Sequence, residues 1–194
     1  TLLFPNPATI WEEALPLGNG KLGAMVFGGT GEDKISLNYD ELWSGYPRDE
    51  NKAGVYVSYF KARDAAMRGE LLRAQDIIER EIASANVQAY MPMGDLIITK
   101  PTGRIRGYRR VLDLDRAIAE VTYTRNGVGY RWEYFTSLTA GCLMIRGTAS
   151  QEGSISLSLK LKSKLRHSFG FSDGIYYMDG ECPFDSQPNR SAFP

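Results

Sequence analysis

The sequence predicts a mainly β chain: a large antiparallel β-sandwich, of the supersandwich kind, with an inserted helical hairpin. Three observations predict it. The 194 residues include 20 Gly and 11 Tyr, with Thr, Val and Ile gathered in the later half, a composition of strands and tight turns. Short apolar–polar alternations recur between Gly- and Asn-containing turns, each marking a strand with one face to cover. One stretch, at about 53–84, drops that alternation for three- and four-residue steps, the period of a helix.

Taken in order, Leu22-Gly23-Ala24-Met25-Val26-Phe27 and Lys34-Ile35-Ser36-Leu37-Asn38 flank a turn at Gly28-Gly29-Thr30-Gly31-Glu32-Asp33. Ile35 and Leu37 alternate with polar neighbours, so the two runs make a hairpin. In the helical stretch Leu71, Ala74, Ile78 and Ile82 form the apolar stripe, and Gly69 divides it into two helices rather than one rod, because glycine ends helices readily. Strands return at Leu96–Thr99, Ala119–Thr124, Gly129–Thr136, Cys142–Arg146, Ile155–Leu161 and Gly174–Met178. Asn126-Gly127 joins two of them and signals a tight hairpin, since both residues tolerate positive φ. On this pattern the sandwich domain runs 1–180, and the proline-bearing stretch 181–194 opens a linker.

Lys plus Arg and Asp plus Glu each number 23, for a net charge of zero. No excess positive field exists to hold a phosphate backbone or an anionic membrane, so nucleic acid and membrane are not expected partners. No run approaches the length of a membrane span. Thr1-Leu2-Leu3-Phe4-Pro5 lacks the basic start and apolar stretch of a signal peptide,, which leaves the compartment open. Cys142 and Cys182 have no Cys or His at metal-ligand spacing, so neither a metal nor a cofactor is expected. Cys142, beside Leu143-Met144-Ile145, reads as a buried inert thiol, with a disulfide as the alternative.

Several motifs invite chemistry. Gly18-Asn19-Gly20-Lys21-Leu22-Gly23 matches the G-x-G-x-x-G dinucleotide fingerprint, but Pro16 precedes it and Gly28-Gly29 ends the next run too soon for a phosphate-binding helix. Glu12, Glu13, Asp40 and Glu41 are acids near aromatics, yet their spacing pairs none of them across a sugar, and solvated charge is the common fate of such residues. His167, the only histidine, has no Ser or Asp neighbour at a telling spacing and reads as a surface or domain-contact residue. Asn38-Tyr39-Asp40-Glu41-Leu42-Trp43-Ser44-Gly45 is the most distinctive stretch. Asn38, Asp40 and Trp43 are the candidate substrate-binding residues: an indole face stacks on a sugar ring while amide and carboxylate bind hydroxyls. The competing reading has Trp43 packing against a neighbouring domain, its N–H on a backbone acceptor.

The runs Glu13 to Gly29 and Leu37 to Gly45, with Gly69-Glu70-Leu71, Tyr90 to Leu96 and Tyr108 to Asp115, resemble the opening of glycoside hydrolase family 95, the α-L-fucosidase-like enzymes, from about Trp11 to Leu161. The resemblance implies an N-terminal sandwich with a helical insertion, followed by a linker and an (α/α)6 barrel that is the partner of this domain. It also implies inverting hydrolysis of terminal α-1,2-linked L-fucose, in some members L-galactose, by a Glu acid and an Asn- and Asp-assisted water in that barrel. No catalytic residue of the family maps onto this chain. A fucosylated oligosaccharide is the implied ligand. Where the family commonly reads Glu-Asp-Thr-Leu-Trp-Ser-Gly, this chain has Tyr39-Asp40-Glu41 before Leu42-Trp43. The sandwich of family 65 disaccharide phosphorylases implies the same fold with different chemistry, and a sandwich binding carbohydrate alone is a further alternative.

Overall fold

The computed structural model describes residues 1–47, 49, 51–83 and 88–184. The chain divides into two compact units, Thr1–Trp43 with Tyr90–Cys182, and Ser44–Ala89 with Pro183–Pro194.

The first unit is built of strands, with one 3-10 turn at Trp11–Glu13. Its described residues form β1 (Leu2–Phe4), β2 (Leu15–Gly18), β3 (Leu22–Val26), β4 (Glu32–Tyr39), β5 (Gly94–Thr99), β6 (Ile105–Asp113), β7 (Ile118–Arg125), β8 (Val128–Thr136), β9 (Leu143–Ala149), β10 (Ser158–Lys162), β11 (Arg166–Ser172) and β12 (Ile175–Glu181). One antiparallel sheet runs β1-β6-β7-β8-β9, a second β10-β5-β4-β3-β2, and β11-β12 form a separate hairpin. The two larger sheets stack because their alternation leaves one apolar face each. Leu15, Ala24, Val26, Ile35 and Ile98 from the second sheet meet Leu112, Ala119, Val121, Trp132 and Tyr134 from the first in one buried cluster.

The expected 22–27 and 34–38 hairpin is β3 and β4, with Val26 opposite Ile35. Asn126 and Gly127 take φ of 50° and 90° and close β7 onto β8 with Arg125 opposite Val128, a two-residue turn whose twist matches that of the strands. The glycine fingerprint falls on the β2–β3 hairpin, where Gly18 pairs with Gly23. No helix follows it, so no pyrophosphate cradle forms there.

At the β3–β4 turn, a Cβ on Gly29 would lie 1.7 Å from the Glu32 carbonyl oxygen. Backbone, not a side chain, blocks it, so Gly29→Ala is expected to cost about 3 kcal/mol through forced displacement of the turn. Urea unfolding checks this, and an unchanged midpoint would contradict the close approach.

The second unit carries α1 (Val55–Met67) and α2 (Leu71–Ile77), the latter continuing as a π turn at Ile78–Ile82. Gly69 sits at φ 80°; its N–H bonds the Ala66 carbonyl, and that of Glu70 reaches Ala65, both at 2.9 Å. This is a Schellman stop, the reason the helical stretch breaks where glycine occurs. The buried faces are small: Ala62, Ala65 and Ala74. Of the expected stripe, Leu71 and Ile78 are exposed. The π turn, marked by the Ala83 N–H on the Ile78 carbonyl, takes an extra residue and rotates the later side chains out of phase with α2. In the same unit Ser44 Oγ bonds Gln88 Oε1 at 2.8 Å and accepts the Ala89 N–H, and Tyr46 stacks on Phe184.

Candidate sugar-facing loop and the buried polar core

β4 carries the candidate loop to the end of its sheet. Asp33, Ile35, Leu37 and Tyr39 alternate with Lys34, Ser36 and Asn38, so the buried Asp33 and Ile35 place Asn38 on the opposite face,. There Asn38 stands opposite Gly23, which offers no side chain to cover it. The Asp40 N–H bonds the Lys21 carbonyl and that of Leu42 the Tyr39 carbonyl, which turns the chain sharply. The Trp43 indole N–H then donates to the Asp40 carbonyl at 3.0 Å.

Sequence reasoning missed Tyr90. It forms an isolated antiparallel bridge with Trp43, its ring lies 5.2 Å from the indole at 50°, and its hydroxyl donates to the Tyr39 carbonyl at 3.0 Å. Trp43 is 49% exposed and Tyr90 42%. The two rings thus form a half-open aromatic corner with polar groups beside it. The structure brings Asp40, Trp43 and Tyr90 together; among the described residues no hydrogen bond or ring contact joins Asn38 to them. Glu41 pairs loosely with Lys21 at 3.7 Å.

A second polar cluster lies inside the sandwich. Asp33 accepts the N–H groups of Gly28 and Gly29 on Oδ1, at 2.8 and 3.0 Å. Its Oδ2 receives the Tyr134 hydroxyl and Lys100 Nζ at 3.4 Å. Lys100 also donates to the Gly29 carbonyl and lies over the Trp132 ring. Beside them, the buried Arg110 donates to the Glu13 and Phe27 carbonyls, while its Nε has no partner among the described residues. The Lys100 and Asp33 side chains are 1% and 0% exposed. A sugar has no access, so the cluster is a fastener between sheets rather than an acid–base pair.

Burial sets the ionisation of this cluster. Tyr134, Tyr108 and Tyr123 are held above the ordinary phenol value, first by burial, with the Asp33 charge adding to it. Lys100 is held below the ordinary amine value by burial, and Asp33 opposes the fall. The sign follows by linkage. Folded phenols keep protons that the unfolded chain sheds from pH 10, so their contribution is full below that value and is lost above it. The Lys100 term runs the other way and ends at its unfolded value of 10.5. Urea midpoints measured across pH 10 are therefore expected to fall; a midpoint still rising beyond 10.5 would contradict the three-phenol account.

The remaining candidates are structural. Glu13 closes its short 3-10 turn by accepting the Thr9 N–H and hydroxyl at 2.8 and 3.1 Å, contacts that hold its carboxyl below the usual range. His167 is exposed on β11, one ring nitrogen 2.7 Å from the Leu165 carbonyl. Cys142 and Cys182 are free, and Cys142 is half-buried rather than buried, because it precedes β9 instead of lying within it. Glu120 and Glu133 face each other across β7 and β8, yet Arg131 bonds both, at 2.6 and 3.0 Å. That guanidinium ties the two carboxylates into one cross-strand ion-pair cluster. Among the described residues no three His, Cys, Asp or Glu side chains gather as metal ligands, and no helix is long and apolar enough to cross a membrane.

Residues 2–192, which take in the two-sheet sandwich and its half-open aromatic corner, match the family model described as glycosyl hydrolase family 65, N-terminal domain, and the chain belongs to that family of glycoside hydrolase N-terminal domains. Among individual proteins it is 31% identical to alpha-L-fucosidase 2 of Arabidopsis thaliana over 86% of its length. It is 30% identical to probable alpha-fucosidase A of Aspergillus oryzae over 71%, and 34% identical to the Aspergillus niger protein of the same name over 58%. The chain spans about 20% of the first two and 15% of the third.

Proposed function

We propose that this chain is the N-terminal sandwich of an α-L-fucoside-cleaving hydrolase whose chemistry resides in an (α/α)6 barrel of the same polypeptide. In this reading 1–180 is the sandwich domain, with its helical insertion at about 53–84, and 181–194 begins the link to the barrel. The observation that carries it is the 31% identity to a protein named an α-L-fucosidase, of which these residues span a fifth. Inverting hydrolysis requires two carboxyls on opposite sides of the sugar, roughly 6.5–9.5 Å apart, with room for a water. Glu120 and Glu133, the acids that face each other across two strands, are both ion-paired to Arg131, which supports placing the chemistry elsewhere.

The sandwich supports the barrel and lends the Asn38 to Trp43 loop to the rim of its pocket. Trp43 supplies a flat apolar face, and the Asn38 amide and Asp40 carboxylate supply hydrogen bonds to hydroxyls. The ligand is neutral, in keeping with a chain of zero net charge. The chain expressed alone is expected to fold yet leave an aryl α-L-fucoside uncleaved. Turnover that survives rigorous purification would overturn the assignment.

The Trp43–Tyr90 corner favours one second reading, a sandwich that binds oligosaccharide unaided. Titration calorimetry with fucosylated oligosaccharides separates the two. Heat from the isolated chain, abolished by Trp43→Ala, supports the binding module; none at millimolar ligand supports the rim. In either case Trp43→Ala is expected to cost at most about 1 kcal/mol of stability, because the ring is already half in solvent.

A further inference from the structure

β9 ends one sheet and β10 ends the other, and both ends border one apolar cleft. Its volume is about 330 Å³, with walls from Leu96, Ile98, Trp132, Ile145, Leu157 and Leu159. Leu157 and Leu159 remain 41% and 54% exposed, although they point into it. A sandwich normally shields such side chains, and an edge strand presents unpaired N–H and C=O groups to whatever lies alongside. On β10, Leu159 and Leu161 face inward with Ile98 and Leu96 as partners, whereas Lys160 and Lys162 face outward.

We infer that this cleft is a strand-addition site. Its occupant is an extended segment of the same hydrolase polypeptide, outside residues 1–194, bearing apolar residues alternated with Asp or Glu. The inference rests on the reading of the chain as one domain of a longer hydrolase. Pairing with β10 satisfies its free backbone groups, and the period of two turns one set of side chains into the cleft and the other toward Lys160 and Lys162. Acidic residues there make cross-strand opposite-charge pairs. The source in the same polypeptide follows from length, since the relatives extend to about five times the matched region.

The test uses the 194-residue chain and an acetylated, amidated peptide, Glu-Val-Glu-Ile-Glu-Val-Glu, with its Lys-for-Glu counterpart as control. Hydrogen exchange is read at the amides of 158–162. The acidic peptide is expected to slow exchange there and the basic one to leave it unchanged. Lys160→Glu with Lys162→Glu is expected to weaken the acidic peptide about tenfold. Those lysines are exposed, so the variant should fold, and a salt titration of the unaltered chain gives an independent measure of the same pairing. Absence of protection by either peptide, or equal protection by both, overturns the inference. So does a dimer in sedimentation that Leu159→Glu dissociates, which would make a second copy the occupant. None of these results bears on the fucoside assay, so the proposed function stands or falls separately.

Discussion

Asp33→Ala is expected to lower the unfolding free energy by about 3–5 kcal/mol, the usual consequence of leaving a buried charge without its partner. Four groups lose the Asp33 carboxylate at once: the Gly28 and Gly29 N–H groups, the Tyr134 hydroxyl and the Lys100 ammonium. The first three then stay desolvated without compensation, and the buried Lys100 charge keeps only the Gly29 carbonyl and the Trp132 ring face,. Lys100→Met should cost less, about 1–3 kcal/mol, because Asp33 keeps three donors. The double change Asp33→Ala with Lys100→Met should be milder than the sum of the single changes, since the orphaned cation is gone. Urea unfolding of the three variants measures this cycle. Additive losses would mean that the two side chains are not coupled and that the fastener account is wrong.

Trp132→Ala is the second large effect, expected at about 3–5 kcal/mol. The indole is 3% exposed, donates to the Tyr123 hydroxyl at 3.3 Å and carries Lys100 Nζ 4.4 Å from its centroid. It also lies on Gly147, where an added Cβ would meet the ring at 2.6 Å. Removing it empties the centre of the core and widens the apolar cleft together. Trp132→Phe should recover part of the loss, because an aromatic ring still fills the near half of the site, whereas the outer-ring atoms that lie over Gly147 are removed,. Thermal or urea unfolding of both variants decides, and a loss under about 1 kcal/mol for the alanine variant would mean that the core collapses around the gap.

Much of this fold is legible because local chemistry and global packing agree. The alternation of β4, the Asn126-Gly127 turn and the Gly69 helix stop each rest on residues a few positions apart, and the structure has all three. β6 was not expected, for a physical reason: Arg106, Arg109 and Arg110 make it look solvated. Yet Arg110 faces inward, opposite Val121, and is 2% exposed. A bulge between Arg106 and Arg109, with Gly107 at φ 61°, also resets the alternation there. β2 was obscured by Pro16, which is tolerated because β2 is an edge strand,. Ile155 to Leu161 reads as one strand, whereas β10 begins only at Ser158.

The candidate site was half legible. Asp40 and Trp43 share one turn, so their association is written in adjacent residues. Tyr90 is brought to them only by a bridge across the intervening segment. By its sequence Asp33 closes a glycine-rich turn, where an acid ordinarily faces water, whereas in the structure it is the second residue of β4, and nothing nearby marks it as buried. Lys100 and Tyr134 lie 67 and 101 positions away, and only strand register brings them to it.

Trp43 and Tyr90 are antiparallel bridge partners, so the backbone leaves the strand-built unit and re-enters it about 5 Å apart. Such a gap can be spanned by a tight reverse turn as readily as by the stretch from Ser44 to Ala89. The junction is therefore a splice point: descendants of this gene can lengthen, shorten or swap the excursion while every sheet pairing stays in place.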